Sequence, residues 1–337
     1  MIQIIQNEKD WTEALHACGN FDFYHTYEYH QTKLKENEEP WLIHFTDGNK
    51  HIAIPFVKRP IFDTEFFDLN IVHGYLGPAS NLGSEPYDAS TFREMFQDLL
   101  LKNNIVSAFS KLNPYIDHQE VILDGLGTIE QVGELLYIDL TTDATLQRQT
   151  YRKSVKNDVN KLRRVFTTKL AETEEELAAF KKIYSDTMAR VEADERFILG
   201  DAYFDMVTSS KNFDTKVILV LSIETGEIVA GSLSTITNGI IQGELMGTKD
   251  EFLYMSPAKL LYDEIRLIGN ELNLKYLNYG GGAGGREGSL YMMKSGFTKS
   301  HIPFKVWKYI ANPEVYENLA SAKKVDEGKN FFPLYRA

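Results

Sequence analysis

Periodicity and turn signals run through one order of elements twice in this chain: helix, helix, a three-strand meander, helix, strand. In the first pass helices are predicted over 8–17 and 26–36. Strands 41–45 and 51–58 flank Asp47-Gly48-Asn49, a hairpin signal, and 65–72 is the third strand. The helix predicted over 87–102 carries Phe92, Met95, Phe96, Leu99 and Leu100 on one face, and strand 105–112 stops at Asn113-Pro114. A further strand covers 135–140. The second pass opens with a single helix over 145–166, with Val155, Val159, Leu162 and Phe166 at helical spacing, followed by a short strand at 169–171. A helix over 174–189 begins in an acidic turn, as the helix dipole favours. The meander 216–223, 227–236 and 240–247 turns at Glu224-Thr225-Gly226 and Thr237-Asn238-Gly239. Ser256-Pro257 reads as a cap and first-turn proline for a helix to 272, and 276–279 is a strand. A last strand at 305–310 and a helix at 312–322 follow, and 326–337 has no readable pattern.

Such a recurrence, without evident internal sequence identity, points to a structural duplication. A chain of 337 residues also outgrows one comfortable core. The expected fold is α/β in the mixed α+β sense, as two tandem domains over 1–143 and 144–311. Each has a mixed, mainly antiparallel sheet flanked by helices.

Charge divides unevenly between these halves. Residues 1–143 carry a net −14 and residues 144–337 a net +2, which makes −12 overall. An acidic chain is a poor generic binder of DNA, and an anionic partner is expected to meet the second half. Cys18 is the only cysteine, and the eight histidines show no H-x-x-x-H spacing, so no metal site is expected. No apolar run approaches the ~20 residues that span a bilayer, and the first residues lack the marks of a secretory signal. A cytoplasmic protein is expected.

The chemistry is expected beside the stretch 275–297, KYLNYGGGAGGREGSLYMMKSGF. Five of the six residues Gly280 to Gly285 are glycine, so the backbone there can take positive φ and approach another group closely. The amides of Gly281 and Gly282, with Arg286 in the loop and Lys294 one short helix later, suit an anionic or carbonyl-bearing ligand. A plain surface loop is the alternative. Gly280, Gly282 and Gly285 satisfy G-x-G-x-x-G. The following helix is too short for a dinucleotide fold, and Arg286-Glu287 stand where a phosphate loop needs Lys and Ser/Thr.

Several stretches resemble one family. Met292-Met293-Lys294-Ser295-Gly296-Phe297 resembles the Y-x-K-x-G-F turn of the GNAT acyltransferases. More closely, residues 151–161 resemble the R-x-x-I-x-K-A helix of the Fem-type peptidyltransferases. Residues 256–272 resemble their helix before the last central strand, and 277–297 their G-G followed by F-K-x-G-F. Gly74-Tyr75-Leu76-Gly77-Pro78 resembles their Y-G-G-P turn, so the resemblance covers nearly the whole chain. It implies two GNAT-like domains, with 312–337 returning to the first. It also implies transfer of an aminoacyl or acyl group onto an amine, often on a bacterial cell-wall precursor. No bound cofactor is implied: the donor is aminoacyl-tRNA in the Fem branch and an acyl thioester of coenzyme A in ordinary GNAT enzymes. Residues 248–259, TKDEFLYMSPAK, contain none of the glycines of the coenzyme A pyrophosphate loop, which favours the Fem branch.

Amine attack on an ester needs a neutral amine, a base and donors for the oxyanion. Lys294 matches the family lysine and is the candidate for the developing negative charge, against a solvated surface lysine. Tyr291 could donate to the leaving oxygen, against a core aromatic; Met292 occupies the slot of the GNAT tyrosine. Glu244 is the candidate base, against an exposed strand position. Arg152 and Lys156, one helical turn apart, could clamp a phosphate-linked acceptor, against a merely solvated face. The acceptor is expected to be an amine-bearing small molecule or lipid-linked species. Two rivals stay open: an acyl-coenzyme A N-acyltransferase acting on a lipid or sugar amine, and an inactive ligand-binding double-GNAT protein.

Overall fold

The computed structural model describes residues 1–282, 288–322 and 331–337. Two compact units form: Met1–Val132 with Pro303–Ala337, and Gly133–Ile302. The first seven strands are β1 (Ile2–Ile5), β2 (Glu39–Asp47), β3 (Lys50–Pro60), β4 (Phe67–Asn70), β5 (Ala79–Ser80), β6 (Ile105–Lys111) and β7 (Thr128–Asp139). The remainder are β8 (Phe166–Leu170), β9 (Asp214–Ser222), β10 (Ile228–Thr237), β11 (Ile240–Thr248), β12 (Tyr276–Gly280) and β13 (His301–Ile310).

In unit 1 the sheet order is β1-β2-β3-β4-β6-β13, with β5 paired to β3. The first four strands are antiparallel, β6 lies parallel to β4, and β13 is antiparallel to β6. Alternation of side chains along β2 and β3 gives the sheet two apolar faces. Helix α1 (Glu8–Cys18), capped by the Asn7 side chain, covers one face with Trp11, Leu15 and Cys18 against Leu42 and Ala53. The short α2 (Tyr27–Gln31) follows, and α3 (Ser90–Lys102) buries Phe92, Phe96 and Leu100 against Phe45, Phe56 and Trp307 on the other face.

Unit 2 repeats the pattern in the order β8-β9-β10-β11-β12-β7. Strands β8 to β11 are antiparallel, β12 is parallel to β11, and β7 is antiparallel to β12. The β10–β11 turn is Asn238-Gly239, both with positive φ (49° and 86°), which matches the twist of a two-residue hairpin. The expected mixed α/β architecture, with two units of like strand order in tandem, is therefore present. Its divisions fall at 132/133 and 302/303 rather than at 143/144 and 311/312. Leu136–Asp139 of β7 pair with β12, whereas Val306–Ile310 of β13 pair with β6. Tyr316 of α11 (Pro313–Ala322) and Tyr335 pack with Ile61 and Val106 in unit 1.

Four local expectations are corrected. The helix expected over 26–36 is a 3-10 turn, Phe23–His25, and then α2 alone. The one expected over 145–166 is two helices and a strand. α4 (Gln119–Leu123) precedes the region; α5 (Ala144–Gln149) ends at Thr150, α6 (Lys153–Leu162) begins after Arg152, and Phe166 opens β8. The break holds because Thr150 Oγ1 donates to Gln147 O at 2.7 Å and the Arg152 amide donates to Gly296 O at 2.8 Å, outside any helix. Ser256 does not cap the helix over 258–271: it sits at φ 57° and ends a 3-10 turn, Asp250–Met255. After α7 (Glu174–Arg190), a helix α8 (Asp201–Ser209) was not expected. The remaining helices are α9 (Ala258–Glu271) and α10 (Ser289–Lys294).

Candidate functional site

Strands β11 and β12 pair only where Ile240–Gln242 face Tyr276–Asn278. Among the described residues no β11–β12 pairing continues beyond Gln242 and Asn278, and two devices mark the opening. On β11, Leu233 faces Leu245 while Ser234 faces Gly243, so Glu244 is the extra residue of a β-bulge. The bulge reverses the alternation of the strand. A Cβ on Gly243 would stand 3.2 Å from Ile265 on α9, whereas one on Gly247 would meet Ile183 of α7 at 2.9 Å. On β12, the Asn278 amide spans both strands: its Nδ2 donates to Gln242 Oε1 at 3.0 Å, and its Oδ1 accepts from the Gly280 amide at 2.8 Å. The open carboxyl ends of two parallel strands are a common place for a ligand.

Unit 1 has the same strand order but fills the matching gap. Past the β4–β6 pairing, Leu76 bridges to Leu112: the Leu76 amide donates to Lys111 O at 2.7 Å, and the Asn113 amide to Leu76 O at 3.0 Å. Gln119 Nε2 holds the same turn through Leu76 O (2.7 Å) and Pro78 O (3.1 Å). Gly77, at φ 83°, leaves no room for a side chain, since a Cβ would lie 2.6 Å from the Gln119 amide. The turn at 74–78 therefore seals unit 1. In unit 2 no described segment bridges the matching gap in this way.

Four expected residues gather at the unit 2 gap: Lys294, Gly281, Gly282 and Glu244. Lys294, the last residue of α10, donates from Nζ to the carbonyl of Gly281 at 3.1 Å. Burial pushes its ammonium down to about 8, against the opposing pull of the Glu244 charge. Gly281 and Gly282 lie half-buried just past β12, and a Cβ on Gly281 would stand 3.3 Å from Glu134 O. The half-buried Glu244 also acts on two tyrosines that sequence reasoning missed. Burial first, and then its charge, raise the phenols of Tyr184 on α7 and Tyr203 on α8 above the ordinary range. The Tyr184 hydroxyl donates to Phe197 O at 2.8 Å. Glu244 is the bulge residue of β11, and no sequence signal announces that bulge. Tyr291 is half-buried and packs against the unit 2 core. Arg286 lies outside the described residues.

The basic helix is more engaged than its charge pattern suggests. Arg152 donates from Nη2 to Ser295 Oγ at 2.7 Å and from Nη1 to Met292 O at 3.3 Å, while Lys156 Nζ donates to Gln149 O at 3.0 Å. These two cations thus meet different partners. Arg163 reaches Asp263 and Glu264, each at 2.9 Å. Asp263 is the centre of a buried network. It accepts from the Tyr151 hydroxyl (2.9 Å) and Arg266 Nη2 (3.0 Å), and Arg266 also contacts Gln147, which exchanges amide hydrogen bonds with Asn270. Arg163 and Arg266 outweigh burial and hold the Asp263 carboxyl below the usual carboxylate range. The amides of segment 248–259 are turned inward: Phe252 donates to Lys249 O, Ser256 to Leu253 O and Lys259 to Ser256 O, at 3.0 to 3.1 Å.

Among the described residues no cluster of three or more His, Cys, Asp or Glu side chains could hold a metal ion, and no helix is long and apolar enough to cross a membrane. No protein-family pattern matches the sequence, and no curated protein matches it. Solved structures do match. FemX superposes with a TM-score of 0.70 at 10% identity, over 94% of this chain and 99% of that one. The C-terminal domain of a putative lysylphosphatidylglycerol synthetase from Agrobacterium fabrum gives 0.59 at 12% identity, over 96% and 99%. A conserved protein of unknown function from Bacteroides thetaiotaomicron gives 0.57 at 10% identity, over 92% and 100%. With six strands in one order in each unit, and FemX matched along nearly its full length, this chain has the Fem-type fold, with two like units in tandem.

Proposed function

We propose that this protein transfers an aminoacyl group, or another acyl group, onto an amine at the gap between β11 and β12. The observation that carries the reading is the Lys294 amine, held 3.1 Å from the Gly281 carbonyl beside the bulged Glu244. Acyl transfer to an amine needs a donor where negative charge develops and a base for the departing proton. Lys294 supplies the first as an ammonium, and Glu244 the second. Tyr291, in the same short helix, is the candidate donor to the leaving oxygen.

The favoured donor is aminoacyl-tRNA rather than acyl-coenzyme A. Pyrophosphate is bound by free backbone amides at a helix start. Here the amides of Phe252, Ser256 and Lys259 are taken by neighbouring carbonyls, and Pro257 has none to offer. The acceptor we favour is an amine on a phosphate- or lipid-linked precursor of the bacterial cell envelope, met in the cytoplasm. FemX and the lysylphosphatidylglycerol synthetase domain share the fold at 10% and 12% identity, which leaves the acceptor to experiment.

The test is to incubate the protein with a charged tRNA pool or with acetyl-coenzyme A, together with amine acceptors, and follow acceptor mass. A mass gain with charged tRNA alone is expected. Gain with acetyl-coenzyme A alone moves the assignment to an N-acyltransferase. No gain with either leaves a ligand-binding protein.

A further inference from the structure

We propose that Arg152 is a positioning residue for Lys294: its guanidinium fork pins the end of α10 to the start of α6, and so keeps the Lys294 amine at the Gly281 carbonyl. The inference rests on reading the unit 2 gap as an acyl-transfer site, and it gives Arg152 a different task from phosphate binding.

α10 has six residues, far too few to stand as a helix by itself. Its last carbonyls need donors from elsewhere. Backbone amides serve those of Tyr291, Met293 and Lys294, and Arg152 serves the fourth: Nη1 reaches Met292 O at 3.3 Å, and Nη2 reaches Ser295 Oγ at 2.7 Å, whose hydroxyl itself donates to Met292 O at 3.0 Å. A cation at this end also opposes the negative pole of the helix. The backbones lock in the same place, since the Arg152 amide donates to Gly296 O at 2.8 Å. Gly296 is what permits the approach: a Cβ there would stand 2.7 Å from Val155 Cγ2 and 3.0 Å from Met293 O.

α10 is thus tied at two points. Lys294 binds it to the residue after β12, and Arg152 binds it to α6. Releasing the second tie lets the helix end shift and lets water reach the amine. Only a planar fork with several donors fits two acceptors at once, so lysine is not an adequate replacement. Lys156, the other half of a diphosphate clamp, is directed at Gln149 O. The positions of both cations favour the structural tie over the clamp.

The test reads Lys294 itself, without substrate. The protein is pulsed with N-acetoxysuccinimide from about pH 6 to 11, and acetylation of the Lys294 peptide is followed by mass spectrometry. In the wild type the rate should rise with a midpoint near 8. Arg152→Lys keeps the cation but loses the fork, and its midpoint should climb toward the ordinary lysine value of about 10.4. Ser295→Ala changes no charge and should move the midpoint the same way by less. It also serves if the arginine variant does not fold. Unmoved midpoints in both variants overturn the proposal. So does a KM increase in Arg152→Lys that fades with salt while the midpoint stays at the wild-type value, which is the mark of a phosphate ligand. Shifted midpoints in a protein that transfers nothing uphold the tie and remove the acyl-transfer reading.

Discussion

Lys294 keeps its proton below about pH 8 and loses it above. In the proposed transfer only the ammonium can stabilise an oxyanion, so kcat should fall as pH rises through about 8, and Lys294→Met should lower kcat roughly ten- to a thousandfold across the neutral range. Steady-state kinetics of both proteins between pH 6.5 and about 9.5 would show it. A wild-type rate in Lys294→Met would place the chemistry elsewhere. Two histidines in unit 1 work through stability. His25 and His30 are fully buried, and burial pushes them down to about 3 and 4. In the unfolded chain both protonate near 6.5, so below that pH the unfolded state holds more protons and gains on the folded one. Each should remove roughly 1.4 kcal/mol per pH unit until its folded value is reached. Urea titrations at pH 7, 6 and 5 should show the loss. His30→Leu should flatten the slope. A profile no flatter than the wild type would contradict this account.

At the scale of the element, most of the architecture could be read from period and punctuation. Both meanders, the Asn238-Gly239 turn, α3 and α9 follow from side-chain spacing and turn chemistry. Where the reading failed, tertiary partners had overridden local pattern. The apolar spacing of Val155, Val159, Leu162 and Phe166 continues straight across the end of α6, yet Phe166 pairs with Ser222 in a sheet. The break before α6 is set by the carbonyl of Gly296, more than a hundred residues away in sequence. The site was legible in part for the same reason. Lys294 and the glycines carry family motifs, whereas Tyr184 and Tyr203 are linked to Glu244 by tertiary packing, one of them from a helix the sequence did not predict. The sealed turn of unit 1 gives a prediction at this scale. Gly77→Ala adds a Cβ 2.6 Å from Gln119 at φ 83°, and should cost about 1–3 kcal/mol. A urea midpoint equal to that of the wild type would mean that the turn does not hold the gap closed.

Across the whole molecule, unit 1 draws its sixth strand from far outside its first run of chain, whereas unit 2 is one continuous run. β13 completes unit 1 from beyond residue 300, and β7 completes unit 2 from before its other strands. Trp307 and Tyr309 of β13 belong to the unit 1 core, and the Trp307 indole donates to Leu126 O at 2.5 Å. A fragment of residues 1–132 should therefore show no cooperative thermal transition in near-ultraviolet circular dichroism. The same fragment joined by a short glycine-serine linker to residues 303–322 should regain one. A cooperative melt of residues 1–132 alone would refute the dependence. The borrowed strand also sets an order of birth. Domains usually fold as they leave the ribosome, the first made folding first. Here the portion synthesised first must wait, with the edge of β6 bare, until Ile310 has emerged, whereas every strand of unit 2 is already made by then. The younger unit can close before the older one, and the interval in between is when this chain most needs a chaperone.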